Sequence, residues 1–130
     1  MSVPTTPAAL MIKAARAVES AQLLLDDGDL DGACNRAYYA MFDAARAALL
    51  AAQAPVSADI SKTHGGLIAA FGLHLVKTGR VPLECGRSLN RGEEIRLVAD
   101  YRGESVDSQA AAEMIERARV FIKTIAELPA

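Results

Sequence analysis

Apolar residues recur at helical spacing along nearly the whole chain, and this limits the fold more than any other feature. Leu10, Ala14, Ala17, Ala21 and Leu24 make one stripe, and Met114, Ile115, Ala118, Phe121, Ile122 and Ile125 make another. Alternation of period two, the mark of a half-buried strand, does not compete with this pattern. The residues filling the stripes are small. Alanine occupies 26 of 130 positions and aromatic residues only 5%, so the helices must pack closely, with axes brought together by small side chains. A chain of this length buries roughly two-thirds of its unfolded surface and needs no disulfide or metal to be stable.

The breaks divide the pattern into five helices. Residues 1–7, with Pro4 and Pro7, read as a flexible lead-in, and residues 8–130 as a single domain. A first helix runs over Ala8–Leu25 and stops at Asp26-Asp27-Gly28; Asp29 or Asp31 caps a second helix reaching about Gln53. Ala54–Ser61 is a loop, and Lys62–Lys77 is helical despite Gly65, Gly66 and Gly72. Thr78–Pro82 breaks the chain before a fourth helix from Leu83 to Tyr101, and Arg102-Gly103-Glu104 closes it. Asp107 or Ser108 caps a last helix ending near Leu128. Short connections between five helices make an all-α bundle.

Charge and cysteine usage narrow the function. A net charge of −2 excludes attachment to nucleic acid by global charge, although a local basic groove is compatible with it. Cys34 and Cys85 belong to no Cys-x-x-Cys pair, so neither a zinc site nor a redox motif is expected, and no cofactor is implied. The apolar run Gly65–Val76 is too short to span a bilayer, and Met1–Pro7 lacks a signal pattern, so a cytoplasmic location and no membrane attachment are expected.

On the second helix, Asn35, Tyr39, Phe42 and Arg46 fall within about 60° of one another. They are either core aromatics with a polar rim or the wall of a cleft. Ala37, Met41, Ala44 and Ala48 form a mostly small face for a neighbouring helix, while Arg36 and Asp43 share a further face as a solvated charge pattern or part of a dimer surface.

Within this helix, Gly32-Ala33-Cys34-Asn35-Arg36-Ala37-Tyr38-Tyr39-Ala40-Met41-Phe42-Asp43-Ala44-Ala45-Arg46-Ala47 resembles the second helix of small bacterial and archaeal HEPN-domain proteins. The resemblance continues through Ser61-Lys62-Thr63-His64-Gly65-Gly66-Leu67, Phe71 and Arg96-Leu97-Val98-Ala99-Asp100-Tyr101, and so covers essentially the whole chain. It implies an up-and-down four-helix bundle with an additional helix, often a homodimer, and a nucleotide- or RNA-binding role. Many such proteins are metal-independent ribonucleases, and small ones are often paired with a minimal nucleotidyltransferase as toxin and antitoxin.

The family's catalytic pattern is an Arg followed, after four to six residues, by a His. Arg96 matches the Arg, but positions 101, 102 and 103 hold Tyr101, Arg102 and Gly103. Cleavage of RNA requires a group that removes the 2′-hydroxyl proton, and a phenol with a reference pKa near 10 is a poor base at neutral pH. Cleavage is therefore expected to be weak, unconventional or absent, and a module that binds nucleotide or RNA, or docks a transferase, is the first reading.

The alternative is a ribonuclease acting through Arg96 with Tyr101 or His64 in place of the usual His. His64 stands beside Lys62, Gly65 and Gly66 at a helix start, where it either caps the helix or faces an anion. Arg96 has Glu93 three residues before it and Asp100 four after, so a pairing along its own helix is expected as well. The binding residues expected are Asn35, Arg46, Lys62, His64, Arg96 and Asp100, with Arg96 and Tyr101 as catalytic candidates. His74, in a mostly apolar run, is expected to be structural.

Overall fold

A computed structural model describes residues 5–57, 62–101 and 106–129, with only the backbone described at Tyr101. It contains α1 (Pro7–Asp26), α2 (Leu30–Ala51), α3 (His64–Phe71), α4 (Leu83–Tyr101) and α5 (Ser108–Ala126). The chain is all-helical, and the described residues form no strand. Residues 1–4 of the lead-in, the end of the Ala54–Ser61 loop and the Arg102-Gly103-Glu104 turn lie outside the described residues.

The helix starts follow from side-chain acceptors. Thr6, Asp29, Thr63 and Asp107 each accept a hydrogen bond from a backbone N–H three residues on, at 3.1, 2.9, 3.0 and 2.7 Å. Asp31, the other candidate cap of α2, instead accepts from the Val106 N–H at 3.1 Å and ties the approach to α5 onto the start of α2. Gly28 and Gly79 take φ of 89° and 78° at the breaks after α1 and after the third helical segment, a conformation that strains any residue with a Cβ.

One expected helix is not uniform. The segment expected as Lys62–Lys77 begins its α-helix at His64 and widens into a π-helical turn over Gly72–Val76, where the Lys77 N–H reaches the Gly72 carbonyl at 2.8 Å. His74 lies half-buried on this turn.

Alanine explains how closely α1 and α2 lie. Ala14, Ala17 and Ala21 of α1 and Ala33, Ala37, Ala40, Ala44 and Ala47 of α2 are all buried, so no long side chain separates the axes. The larger core side chains collect where the other helices cross α2: Tyr38, Met41, Phe71, Leu75, Leu89, Met114 and Phe121, with Phe71 and Phe121 stacked at 5.4 Å between ring centres. Gly92 lets α4 approach. A Cβ there would stand 2.8 Å from Met41 Cε and 3.0 Å from Tyr38 Cδ1. This close crossing sets the middle of α4 beside the Tyr38 ring.

Candidate functional site

Three helices meet at this crossing. Tyr38, Tyr39 and Phe42 come from one turn of α2, His64 from the first residue of α3, and Glu93, Arg96 and Asp100 from one face of α4. The helical repeat explains the last three, since side chains three and four residues apart stand above one another.

His64 is the hub. Its Nδ1 lies 2.9 Å from the Tyr38 hydroxyl, its Nε2 3.3 Å from the Tyr39 hydroxyl, and its Nδ1 3.9 Å from Glu93 Oε2. Phe42 meets the imidazole edge to face, with ring centres 5.4 Å apart. The His64 side chain nonetheless remains 34% exposed and Tyr39 is half-buried, whereas Tyr38 is sealed from solvent. An imidazole and a phenol therefore stand at the mouth, backed by a buried phenol and a carboxylate.

Arg96 is only 7% exposed. Its Nε–H and Nη2 donate to the two Glu93 oxygens at 3.2 and 3.3 Å, Nη1 donates to Asp100 at 3.1 Å, and the guanidinium carbon lies 5.5 Å from the centre of the Tyr38 ring. Two carboxylates against one guanidinium leave the group net negative while His64 is neutral. An incoming phosphate would have to displace a carboxylate to reach Arg96. Burial, and then Glu93 as neighbouring charge and hydrogen-bond acceptor, hold the Tyr38 phenol well above its ordinary range, with Arg96 opposing in part.

Of the residues expected from the sequence, the fold gathers His64, Arg96 and Asp100. Asn35 and Arg46 are half-buried on the α2 stripe and Lys62 is exposed just ahead of α3; no hydrogen bond among the described residues joins these three to the group. The side chain of Tyr101 lies outside the described residues. Thr63 Oγ1 already occupies the Gly66 N–H at the start of α3, so His64 is not the cap there.

Phe42 is buried and Tyr39 stands at the mouth, so the stripe is part core and part cleft wall. Of the two readings of the Arg36 and Asp43 face, a solvated pattern or part of a dimer surface, the first does not hold at Asp43: Arg36 is exposed, but Asp43 is only 9% exposed, and burial raises its carboxyl despite Lys13, Arg46 and Arg36 nearby. The Arg46 Nε beside it is buried without a hydrogen-bond partner among the described residues.

Two members of the site had no functional reading in the sequence. Tyr38 falls with Cys34 and Met41 on the buried side of α2, where a phenol reads as core. Glu93 reads as an ordinary helix partner of Arg96. The signal that could have found Tyr38 is chemical, because a buried phenol needs a hydrogen-bond partner and the start of α3 offers His64. Among the described residues, no three His, Cys, Asp or Glu side chains gather closely enough to hold a metal ion, and no helix is long and apolar enough to cross a membrane.

Comparison with known proteins agrees with this architecture. A UPF0332 protein of Gloeobacter violaceus is 42% identical over 94 residues, covering 72% of this chain and 71% of its own. A UPF0332 protein of Thermotoga maritima is 38% identical over 118 residues, covering 89% and 85%. A Methanocaldococcus jannaschii protein named "Putative toxin" is 31% identical over 108 residues, covering 83% and 77%. The family model described as HEPN domain matches residues 8–128, and the chain belongs to the HEPN domain family.

Proposed function

We propose that this protein is a nucleotide- or RNA-binding HEPN module, one half of a two-component system with a minimal nucleotidyltransferase, and that it acts as a homodimer. The observation that carries the reading is the half-exposed pair of His64 and Tyr39, braced by Phe42 and Tyr38. Aromatic and imidazole faces at a cleft stack on unpaired bases, and their nitrogens and hydroxyls bond to base edges and ribose. Phosphates then fall to the cations outside the net-negative group, Lys62 and Arg46. The toxin names of relatives support a two-component setting.

The burial of Arg96 between carboxylates favours binding over cleavage, because a guanidinium already neutralised stabilises a phosphoryl transition state poorly. The exposed imidazole of His64 favours a second reading, a metal-independent ribonuclease.

One experiment addresses both. Fluorescence anisotropy of a labelled single-stranded RNA should show binding that weakens about tenfold in Tyr39→Ala, on the order of one lost base stack. The same mixtures incubated with chelator should leave the RNA intact. Equal affinity in folded Tyr39→Ala would place the site elsewhere, and wild-type cleavage lost in His64→Ala would establish the ribonuclease reading. Light scattering tests the dimer: a mass near 13.7 kDa at all concentrations would remove it.

A further inference from the structure

Both ring nitrogens of His64 meet a phenol, and this fixes more than the ring's position. Neutral imidazole carries one N–H and one lone pair, so one tyrosine must accept from it and the other donate to it. The neighbours of the two nitrogens decide which.

Glu93 can only accept. Two hydrogen bonds from Arg96 hold its carboxylate in place, 3.9 Å from Nδ1, where negative charge favours a proton on that nitrogen. The Tyr38 hydroxyl lies 2.9 Å from the same Nδ1, and the Glu93 carboxylate acts on this phenol as well, holding it above its ordinary range. A phenol has one O–H. Turned toward the Glu93 charge, it leaves an oxygen lone pair for His64, and Nδ1, 2.9 Å from that oxygen and 3.9 Å from the carboxylate, is the nitrogen that carries the N–H. Nε2 is then the acceptor, and its contact with Tyr39, at 3.3 Å, is long for a bond from a hydroxyl.

We propose that Tyr38 and Glu93 are positioning residues that keep the neutral form of His64 protonated at Nδ1, so that Nε2 accepts a hydrogen bond from a ligand hydroxyl that replaces Tyr39. The choice of hydroxyl rests on the nucleic-acid reading above, in which it is a ribose 2′-hydroxyl. The arrangement follows the general logic by which a carboxylate and an intervening hydrogen bond select one histidine tautomer and free the opposite nitrogen. Tyr39 can give way because it is half-exposed, whereas the buried Tyr38 cannot.

Long-range 15N–1H correlation spectra of histidine-labelled protein at about pH 8 test the tautomer without any substitution. The Nδ1–H form of His64 is expected, and a dominant Nε2–H form would overturn the proposal. Tyr38→Phe should shift the population toward Nε2–H, and so should Glu93→Gln, whose amide can also donate; an unchanged tautomer in both folded variants would remove their positioning role.

Anisotropy with RNA and DNA of one sequence tests the hydroxyl. RNA should bind about fivefold more tightly, the worth of one ordinary hydrogen bond, and His64→Phe should abolish the difference while retaining an aromatic face. Equal wild-type affinities would overturn the acceptor assignment. Failure of both strands to bind would overturn the nucleic-acid reading and the ribose with it, while the spectra decide the tautomer independently.

Discussion

The Tyr38 hydroxyl and the Nδ1 of His64 lie 2.9 Å apart although 26 residues separate them in the chain. This bond joins the buried side of α2 to the first residue of α3 and puts the imidazole at the surface. Because Tyr38 also lies under Arg96 of α4, one core side chain links three helices at the site.

Arg96 is accordingly expected to act first on stability. In Arg96→Ala, Glu93 and Asp100 keep their charges and lose their shared partner, and the Tyr38 ring loses the cation against it. Breaking a fully buried pair costs about 3–5 kcal/mol, and partial exposure of both carboxylates brings this to about 2 kcal/mol. Urea titration followed by circular dichroism measures it. If Arg96 does not reach phosphate, the salt dependence of RNA affinity in the folded variant should match wild type.

Gly92→Ala should destabilise the protein even though alanine is the better helix former by about 1 kcal/mol. The added methyl would meet Met41 Cε and the Tyr38 ring edge at 2.8 and 3.0 Å. The methionine can move, but the ring is held by His64 and by the Arg96 guanidinium over it. Overpacking of this kind costs about 1–3 kcal/mol, so a net loss of about 1 kcal/mol is expected in thermal melts. Gly92→Ala combined with Met41→Ala, which opens space on one side only, should not recover the wild-type midpoint.

The helix breaks were legible in the sequence because they rest on local chemistry. Gly28 at positive φ, the Asp107 cap and the stop at Thr78–Pro82 each depend on a few adjacent residues. The small-residue contact between α1 and α2 was legible for the same reason, as alanines at helical spacing leave few alternatives. The π-helical turn at Gly72–Val76 was not, since apolar periodicity does not distinguish one extra residue within a turn from a regular helix.

The site was half legible. His64, Arg96 and Asp100 carry polar groups that stand out in the sequence, whereas Tyr38 acquires its role only from a partner brought by another helix. Asp43 misled for a related reason: it shares a face of α2 with the exposed Arg36, where charge reads as solvated, yet it is buried near Lys13, Arg36 and Arg46.

Cys34 provides an alkaline test of burial. Burial first, and then the charges of Asp31 and Asp107, push its thiol up to about 11, against about 8.5 in an unfolded chain. Between these values the unfolded state holds fewer protons than the folded one, so stability falls as pH rises through that window. The buried Tyr38 phenol, also raised, acts in the same direction above about pH 10. Chemical denaturation at pH 8, 9 and 10 should show a declining midpoint, less steep in Cys34→Ala. Since the thiolate is the reactive form, a disulfide reagent at neutral pH should leave native Cys34 and Cys85 unmodified and label both in denaturant.

Asp43 carries the opposite pH signature. Its carboxyl is raised because burial outweighs the attraction of Lys13, Arg46 and Arg36, so the charged form costs the folded state more than those cations return. The ordinary carboxylate value applies in the unfolded chain. Above the folded pKa the cost is present in full; as pH falls through it, the folded state takes up a proton before the unfolded state does, and the cost is relieved. Asp43→Asn removes the charge at all pH values while keeping the shape. It should therefore melt above wild type at pH 7, and the advantage should shrink as pH falls toward the ordinary carboxylate value near 4. Thermal melts of both proteins across this range measure the difference. An Asn variant less stable than wild type at pH 7 would show that the three cations outweigh burial, and would make Asp43 a stabilising partner of Lys13, Arg36 and Arg46.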